Sequence, residues 1–373
     1  MEKKRSDLIS VLLFCACLGG MLLLFLLLPA RGFSEQENRM LSTRPRLERD
    51  TLLSGEFMED FEDYLIDQFP GRDSWMDLKS LCERLLLKQE YNGVYLCADG
   101  SLITRFDAPD RELLGRNLNA VNALAEESRV PVYFMLIPSA ASVWEEKLPP
   151  HAPSFDQRQL IRELYAACAA VPVDAVSVLD AHREEEIFYR TDHHWTSLGA
   201  YYGYTAFAKA AGFEPAALES FRPRVVSEDF RGTVWSRSGV HWTAPDRITL
   251  YVEPDGVQVT NYPEGKAEAG QVYDFSRLET KDQYALFYGG NTPRLVIRTG
   301  AEDGPKLLVI RDSYMDSASP FLFPHFSEIH MLDLRYYRQS VQEYLRENDI
   351  DLILLCYNIT NFVSETTIVM ASA

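Results

Sequence analysis

Residues 306–317 read KLLVIRDSYMDS. The opening KLLVI is a continuous apolar run, the pattern of a strand covered on both faces rather than of a half-exposed one. Polar residues end the run at once, so Ser313 falls in the loop that leaves the strand's carboxyl end. In an open α/β sheet that rim is where functional side chains gather.

The pattern continues on both sides of this strand. Downstream, strands are expected over residues 328–334 and 352–356, with a helix over 339–348 between them. Upstream, a helix over 111–128, a strand over 132–137, a helix over 157–170 and a strand over 176–179 follow in turn. Such alternation predicts an α/β layered domain. Between the two sets, residues 221–299 are rich in Gly, Pro, aromatic and β-branched residues and read as a β-rich insertion. Its segment ITLYVEPDGVQVTNY, residues 248–262, carries a hairpin signal. Nearer the amino end, residues 94–96 and 101–103 flank Ala98-Asp99-Gly100 and read as another hairpin. Two helices are expected before it, one with Phe57, Phe61, Leu65 and Ile66 on a stripe, the other with Trp75, Leu78, Leu81 and Leu85, separated by Pro70-Gly71. Residues 32–46 are polar and aperiodic, as a tether would be.

The amino terminus sets the compartment. Lys3, Lys4 and Arg5 precede an almost uninterrupted apolar run over residues 8–28, long enough to span ~30 Å of hydrocarbon. Basic residues ahead of the run hold that end in the cytoplasm and send everything after Arg31 outside. The run exceeds the roughly 7–15 apolar residues of a signal-peptide core, which favours an uncleaved single-pass anchor over a cleaved signal. The expected organisation is therefore a stub and anchor (1–31), a tether with helices (32–90) and an extracytoplasmic catalytic domain (91–373). A net charge of -18 argues against a nucleic-acid partner, which needs clustered Lys and Arg. It also disfavours docking on anionic lipid. Two of the six cysteines lie in the apolar run and the other four lack paired spacing, so neither a disulfide framework nor structural zinc is expected.

A serine hydroxyl needs a base within hydrogen-bond reach and a group that orients that base. Residues 191–204, TDHHWTSLGAYYGY, supply Asp192, His193 and His194 in the entry loop of a helix that begins at Thr196 or Ser197. An extended or turning segment can aim residues two apart into one cleft, which a helix cannot. Asp192 would then orient His194, and His194 would take the Ser313 proton. The rival readings are bland: Ser313 caps the next helix, Asp192 caps the helix after it, and His193 packs in the core. A metal held by Asp192, His193 and His194 lacks a further ligand, His182 being the closest addition, and none is expected. Candidate oxyanion or substrate contacts are the Ser313 backbone N–H, Asn358, Asn291, Arg335 and Tyr336. Trp195, with Trp235 and Trp242, could instead serve a non-catalytic, membrane-anchored glycan-binding or scaffold protein.

TDHHWTSLGAYYGY and VIRDSY together resemble the bacterial DHHW family and, through it, the SGNH hydrolase-like alginate O-acetylation proteins. The likeness extends to FEDYLIDQFPGRDSW (61–75), YNGVYLCADGSLI (91–103), KDQYALFYGGNTP (281–293) and FPHFSEIHMLDLRYY (323–337). The resemblance implies an SGNH hydrolase-like three-layer α/β/α domain in which Asp192 and His194 precede the nucleophile Ser313. It implies acetyl transfer to an exported or cell-surface polysaccharide without a cofactor, beside a membrane-bound O-acyltransferase that supplies the acetyl group. A carbohydrate esterase would use the same three residues.

Overall fold

The computed structural model describes residues 2–372, which fall into two compact units: residues up to Lys88 with Gly239–His241, and Gln89–Ser238 with residues 242–372. In the first, the segment Arg5–Leu27 lies in one helix in which no residue is buried; it is long and apolar enough to cross a membrane. Helices Arg49–Ser54, Glu56–Asp67 and Arg72–Leu85 follow. They are punctuated by Gly55 and Gly71 at φ of 91° and 69°, a left-handed conformation that glycine adopts without a Cβ penalty. Buried Asp67 accepts from Arg39 Nη1 at 2.9 Å and from the Ser42 N–H at 2.8 Å. The Arg39 guanidinium outweighs burial and lowers the Asp67 carboxyl to about 2.

The second unit is organised by one sheet. In chain order its principal elements are α1 (Arg111–Glu127), β1 (Val132–Ile137), α2 (Gln157–Ala166), β2 (Val171–Val173), α3 (Ser197–Ala211), β3 (Gln258–Asn261), β4 (Glu268–Gly270), β5 (Arg294–Arg298), β6 (Lys306–Arg311), α4 (Tyr314–Ala318), β7 (Glu328–Leu332), α5 (Val341–Glu347), β8 (Leu352–Asn358) and α6 (Ile359–Ser364). The strand order is β4-β3-β5-β7-β6-β8-β1-β2. From β7 to β2 the ladder is parallel, while β5, β3 and β4 each pair antiparallel with the preceding strand. The fold is mixed α/β.

Side chains alternate across the strands, so continuous apolar runs feed two cores. Met135, Leu307, Val309 and Leu354 pack on one side with Ala200 and Phe207 of α3. Phe134, Leu308, Ile310 and Leu355 pack on the other with Val121 and Leu124 of α1 and with Leu160 and Leu164 of α2. Each such side chain, once fully buried, contributes about 1.5–3 kcal/mol.

Two sequence expectations change here. Residues 176–179 are not a strand: they lie in the helix Ala175–Ala181, whose start is capped by Asp174 accepting from the Ser177 N–H. The strand is Val171–Val173, at the sheet edge, where Pro172 is tolerated. The segment ITLYVEPDGVQVTNY is not a hairpin either. Its first half, Asp246–Leu250, pairs with Arg224–Phe230, and its second half is β3, paired with β4 and β5. The inserted region thus supplies three strands to the central sheet itself.

Candidate active site

Ser313 follows β6 at the carboxyl edge of the parallel strands. Its loop is fixed by Asp312, a fully buried carboxylate that accepts from the N–H groups of Tyr314 (3.0 Å) and Asn358 (2.8 Å) and from Asn361 Nδ2 (2.7 Å). Burial pushes this carboxyl up, and those three donors oppose it. Ser313 stands at the start of α4 but makes no side-chain cap bond. Its Oγ lies 2.7 Å from His194 Nε2, which sets aside the reading of Ser313 as a helix cap. Among the described residues no acceptor takes the Ser313 backbone N–H.

His194 sits in the loop before α3, and its Nδ1 lies 2.5 Å from Asp192 Oδ1. The same oxygen accepts the His194 backbone N–H at 3.0 Å, so the two-residue spacing closes a small ring that orients the imidazole. Asp192 Oδ2 accepts from Thr233 twice, from N–H at 2.8 Å and from Oγ1 at 3.0 Å. Burial would raise the Asp192 carboxyl. The neighbouring imidazoles and these donors overcome it and hold the group well below the usual carboxylate range. Thr196, not Asp192, caps α3 by accepting from the Gly199 N–H.

Tyr284 completes the arrangement. Its ring stacks on the His194 imidazole, centroids 3.7 Å apart, and its hydroxyl donates to the Ser313 carbonyl at 3.1 Å. Gly232 is held without a side chain, because a Cβ there would fall on the Asp192 carboxylate. Behind it, Asp246 accepts from the backbone N–H groups of Arg190 and Thr191 at 3.0 and 2.8 Å. Of these residues, sequence reasoning assigned no role to Tyr284, Thr233, Gly232, Asp246 or Asp312; the block 281–293 hinted at the first and VIRDSY at the last.

A cavity of about 260 Å³ opens beside Asp192, His193, Thr233 and Tyr314, with Leu102, Ala140, Ala141 and Val234 as its apolar wall and Arg237, Thr360 and Asn361 as polar groups. Asn358 lines it too, but its amide is committed elsewhere: Nδ2 donates to the Ile137 carbonyl at 3.1 Å and Oδ1 accepts from the Thr360 N–H at 2.9 Å. Asn291, Arg335 and Tyr336 do not line this cavity. Arg335 is clamped to both Asp333 oxygens, at 2.9 and 2.7 Å, and reaches Asn291 Oδ1 at 3.4 Å. Trp195 is wholly buried, with Nε1 donating to the Tyr314 carbonyl at 2.9 Å and to Ser317 Oγ at 3.0 Å. It braces Ser313's helix and offers no face to a glycan. His193, which the rival reading packs in the core, is partly exposed, and its Nδ1 lies 2.7 Å from Thr233 Oγ1. Donor atoms of Asp192, His193 and His194 all lie within 4.8 Å of one another, yet Asp192 and His194 spend theirs on Thr233, Ser313 and each other.

The fold and this cluster define a mixed α/β protein with a serine, a histidine and a carboxylate in series at the sheet rim. The profile described as "DHHW protein" matches residues 112–332, and the chain belongs to the DHHW family. It is similar to the crystal structure of a DHHW family protein from Eubacterium siraeum, 25% identical with a TM-score of 0.67, covering 75% of this chain and 95% of that one. Bacillus cereus PatB1 with a sulfonyl adduct shares the fold at 20% identity and a TM-score of 0.63, over 74% and 97% of the two chains. The probable alginate O-acetylase AlgJ of Pseudomonas aeruginosa is 26% identical over 159 residues, 40% of this chain. That match spans 41% of AlgJ's own length.

Proposed function

We propose that this protein is an extracytoplasmic, membrane-anchored serine acyltransferase that moves an acetyl group to a cell-surface or exported polysaccharide, on an SGNH hydrolase-like three-layer α/β/α domain. The observation that carries the reading is the unbroken series Ser313 Oγ, His194 Nε2, His194 Nδ1 and Asp192 Oδ1, with steps of 2.7 and 2.5 Å. Ser313 is the nucleophile, His194 the base and Asp192 the group that fixes the imidazole and stabilises its charged form. Ser313 Oγ adds to the acetyl carbonyl as its proton passes to His194. The Ser313 N–H faces the developing oxyanion. Collapse breaks the bond to the donor's leaving group, which takes the proton from His194 and departs, leaving acetyl-Ser313. A sugar hydroxyl then gives its proton to His194, attacks the ester and leaves acetylated, and Ser313 recovers its proton. The name of AlgJ supports the choice of acetyl and polysaccharide, and a membrane-bound O-acyltransferase is the proposed supplier.

The full chain in detergent, given 4-nitrophenyl acetate and a panel of glycans, tests this. Acetylated glycan from the wild type, and none from Ser313→Ala, is the expected result. Free acetate alone would make the protein an esterase with the same three residues. Equal labelling of wild type and Ser313→Ala by a serine-reactive sulfonyl fluoride would remove Ser313 from the chemistry.

A further inference from the structure

A second cavity of about 260 Å³ lies on the same sheet edge, lined by Tyr262, Glu264, Arg294, Tyr336, Tyr337 and Arg338. Its place follows from the register. Arg294 at the start of β5 pairs with Leu332 at the end of β7, and Leu332 pairs with Ile310 of β6. Two ladder steps of about 4.8 Å each put Arg294 roughly 10 Å across the sheet from Ile310, and Ser313 lies just beyond Ile310. The two cavities therefore belong to one rim.

Its chemistry is unlike that of an ordinary surface dip. The Arg294 guanidinium lies 3.6 Å from the Tyr262 ring centroid and 5.6 Å from that of Tyr344. Among the described residues, no carboxylate pairs with the Arg294 guanidinium and no acceptor takes its side-chain N–H groups. Tyr336, at the mouth, is 47% exposed, with the Arg335 guanidinium 5.5 Å from its ring centroid and the ring otherwise open. Glu264 sits at φ 52° and ψ 23°, a left-handed conformation that a non-glycine residue adopts at a cost and that recurs at binding sites. Arg338, by contrast, is pinned by the carbonyls of Leu334 and Arg335 at 2.9 and 2.6 Å and forms a rigid wall.

We propose that this cavity is a distal subsite for the acceptor glycan, binding one hexopyranose unit while another unit of the same chain stands at Ser313. The apolar C–H face of a pyranose lies on the open Tyr336 ring. Its hydroxyls accept from the unspent donors of Arg294 and donate to Glu264. Aromatic rings with a few convergent polar groups are the usual make-up of a small-ligand site. The inference deepens the function proposed above and rests on it for the acceptor, but not for the binding itself. It also gives Tyr336 a role that the first cavity does not.

Binding is the readout. The full chain carrying Ser313→Ala, in detergent, is titrated with disaccharides and hexasaccharides of a neutral glucan and of a uronate polymer. The subsite predicts that hexasaccharides of at least one series bind roughly tenfold more tightly than disaccharides, through ring contacts and the Arg294 donors. That length preference should vanish with Tyr336→Ala, an exposed change that spares the fold, and with Arg294→Leu. No hexasaccharide binding, or a length preference that survives both changes, overturns the subsite. Failure of the wild type to acetylate any glycan, or labelling by the sulfonyl fluoride that Ser313→Ala leaves unchanged, would overturn the function and leave this binding result standing.

Discussion

The ring of Tyr284 lies flat on the imidazole of His194, with planes 7° apart. Tyr284 is committed beyond that ring as well: its hydroxyl donates to the Ser313 carbonyl at 3.1 Å and lies 3.1 Å from Ser317 Oγ. One side chain therefore sets the height of the base and the position of the nucleophile's backbone.

That coupling separates two substitutions. Tyr284→Phe keeps the stack and loses the hydroxyl bonds, so stability falls by about 0.5–1.5 kcal/mol with a small change in the acylation burst. Tyr284→Ala frees the imidazole, and loss of orientation costs on the order of 10²-fold in that burst. Stopped-flow release of 4-nitrophenol and a thermal melt measure both. Equal bursts from the two variants would show that the stack positions nothing.

Gly232 and Thr233 bear on Asp192 rather than on His194. Gly232→Ala drives a methyl into the Asp192 carboxylate, with an overpacking cost of about 1–3 kcal/mol and a displaced Asp192. Thr233→Val removes one of two donors to Oδ2 while its N–H remains, so its effect on the burst is the smaller. The ranking is the prediction, and a Thr233→Val variant slower than Gly232→Ala contradicts it.

These contrasts show where the sequence stops being legible. Residues 132–137 and 306–310 announce themselves by long apolar runs, and the pair Asp192 and His194 by adjacency. Residues 176–179 do not, because Val176 and Leu179 suit a helix stripe as well as a short strand. The pairing of β3 with β5 rather than with Asp246–Leu250 depends on contacts far along the chain, which a local turn signal cannot report. Tyr284 is one aromatic in the block 281–293, and nothing local marks it as the ring over His194. Trp195 is ambiguous for a related reason: a Trp beside two histidines reads equally as a ligand platform or as a core anchor.

Asp316 gives the second unit a pH signature. It is buried against Arg311 at 3.0 Å, and burial raises its carboxyl to about 7, Arg311 pulling it down and Asp333 and Asp312 pushing it up. An unfolded Asp titrates near ~3.9. Between those values the folded chain holds more protons than the unfolded one, so this group makes stability fall as pH rises from about 4 to about 7 and level off above. Asp316→Asn cannot ionise and should flatten that decline. Thermal midpoints of both proteins at about pH 5 and pH 8 decide it, and equal slopes would relieve Asp316 of the role.

The last prediction concerns the brace behind Ser313. A Cβ on Gly203 would stand 2.5 Å from the far edge of the Trp195 ring, so Gly203→Ala alone overpacks α3 against it at about 1–3 kcal/mol. Trp195→Phe alone leaves the Tyr314 carbonyl and Ser317 Oγ without the indole N–H and opens space, also at about 1–3 kcal/mol for the unmade bonds. Phe lacks the ring atoms that the new methyl would strike. In the double variant the methyl therefore fills room that the smaller ring vacates, and the two losses do not add. The expected coupling is favourable and about 1 kcal/mol or more, against the few tenths seen between independent sites. Denaturant midpoints of the four proteins measure it. Simple additivity would mean that α3 shifts away from Trp195 as a body, and that the indole is held by its hydrogen bonds rather than by its packing.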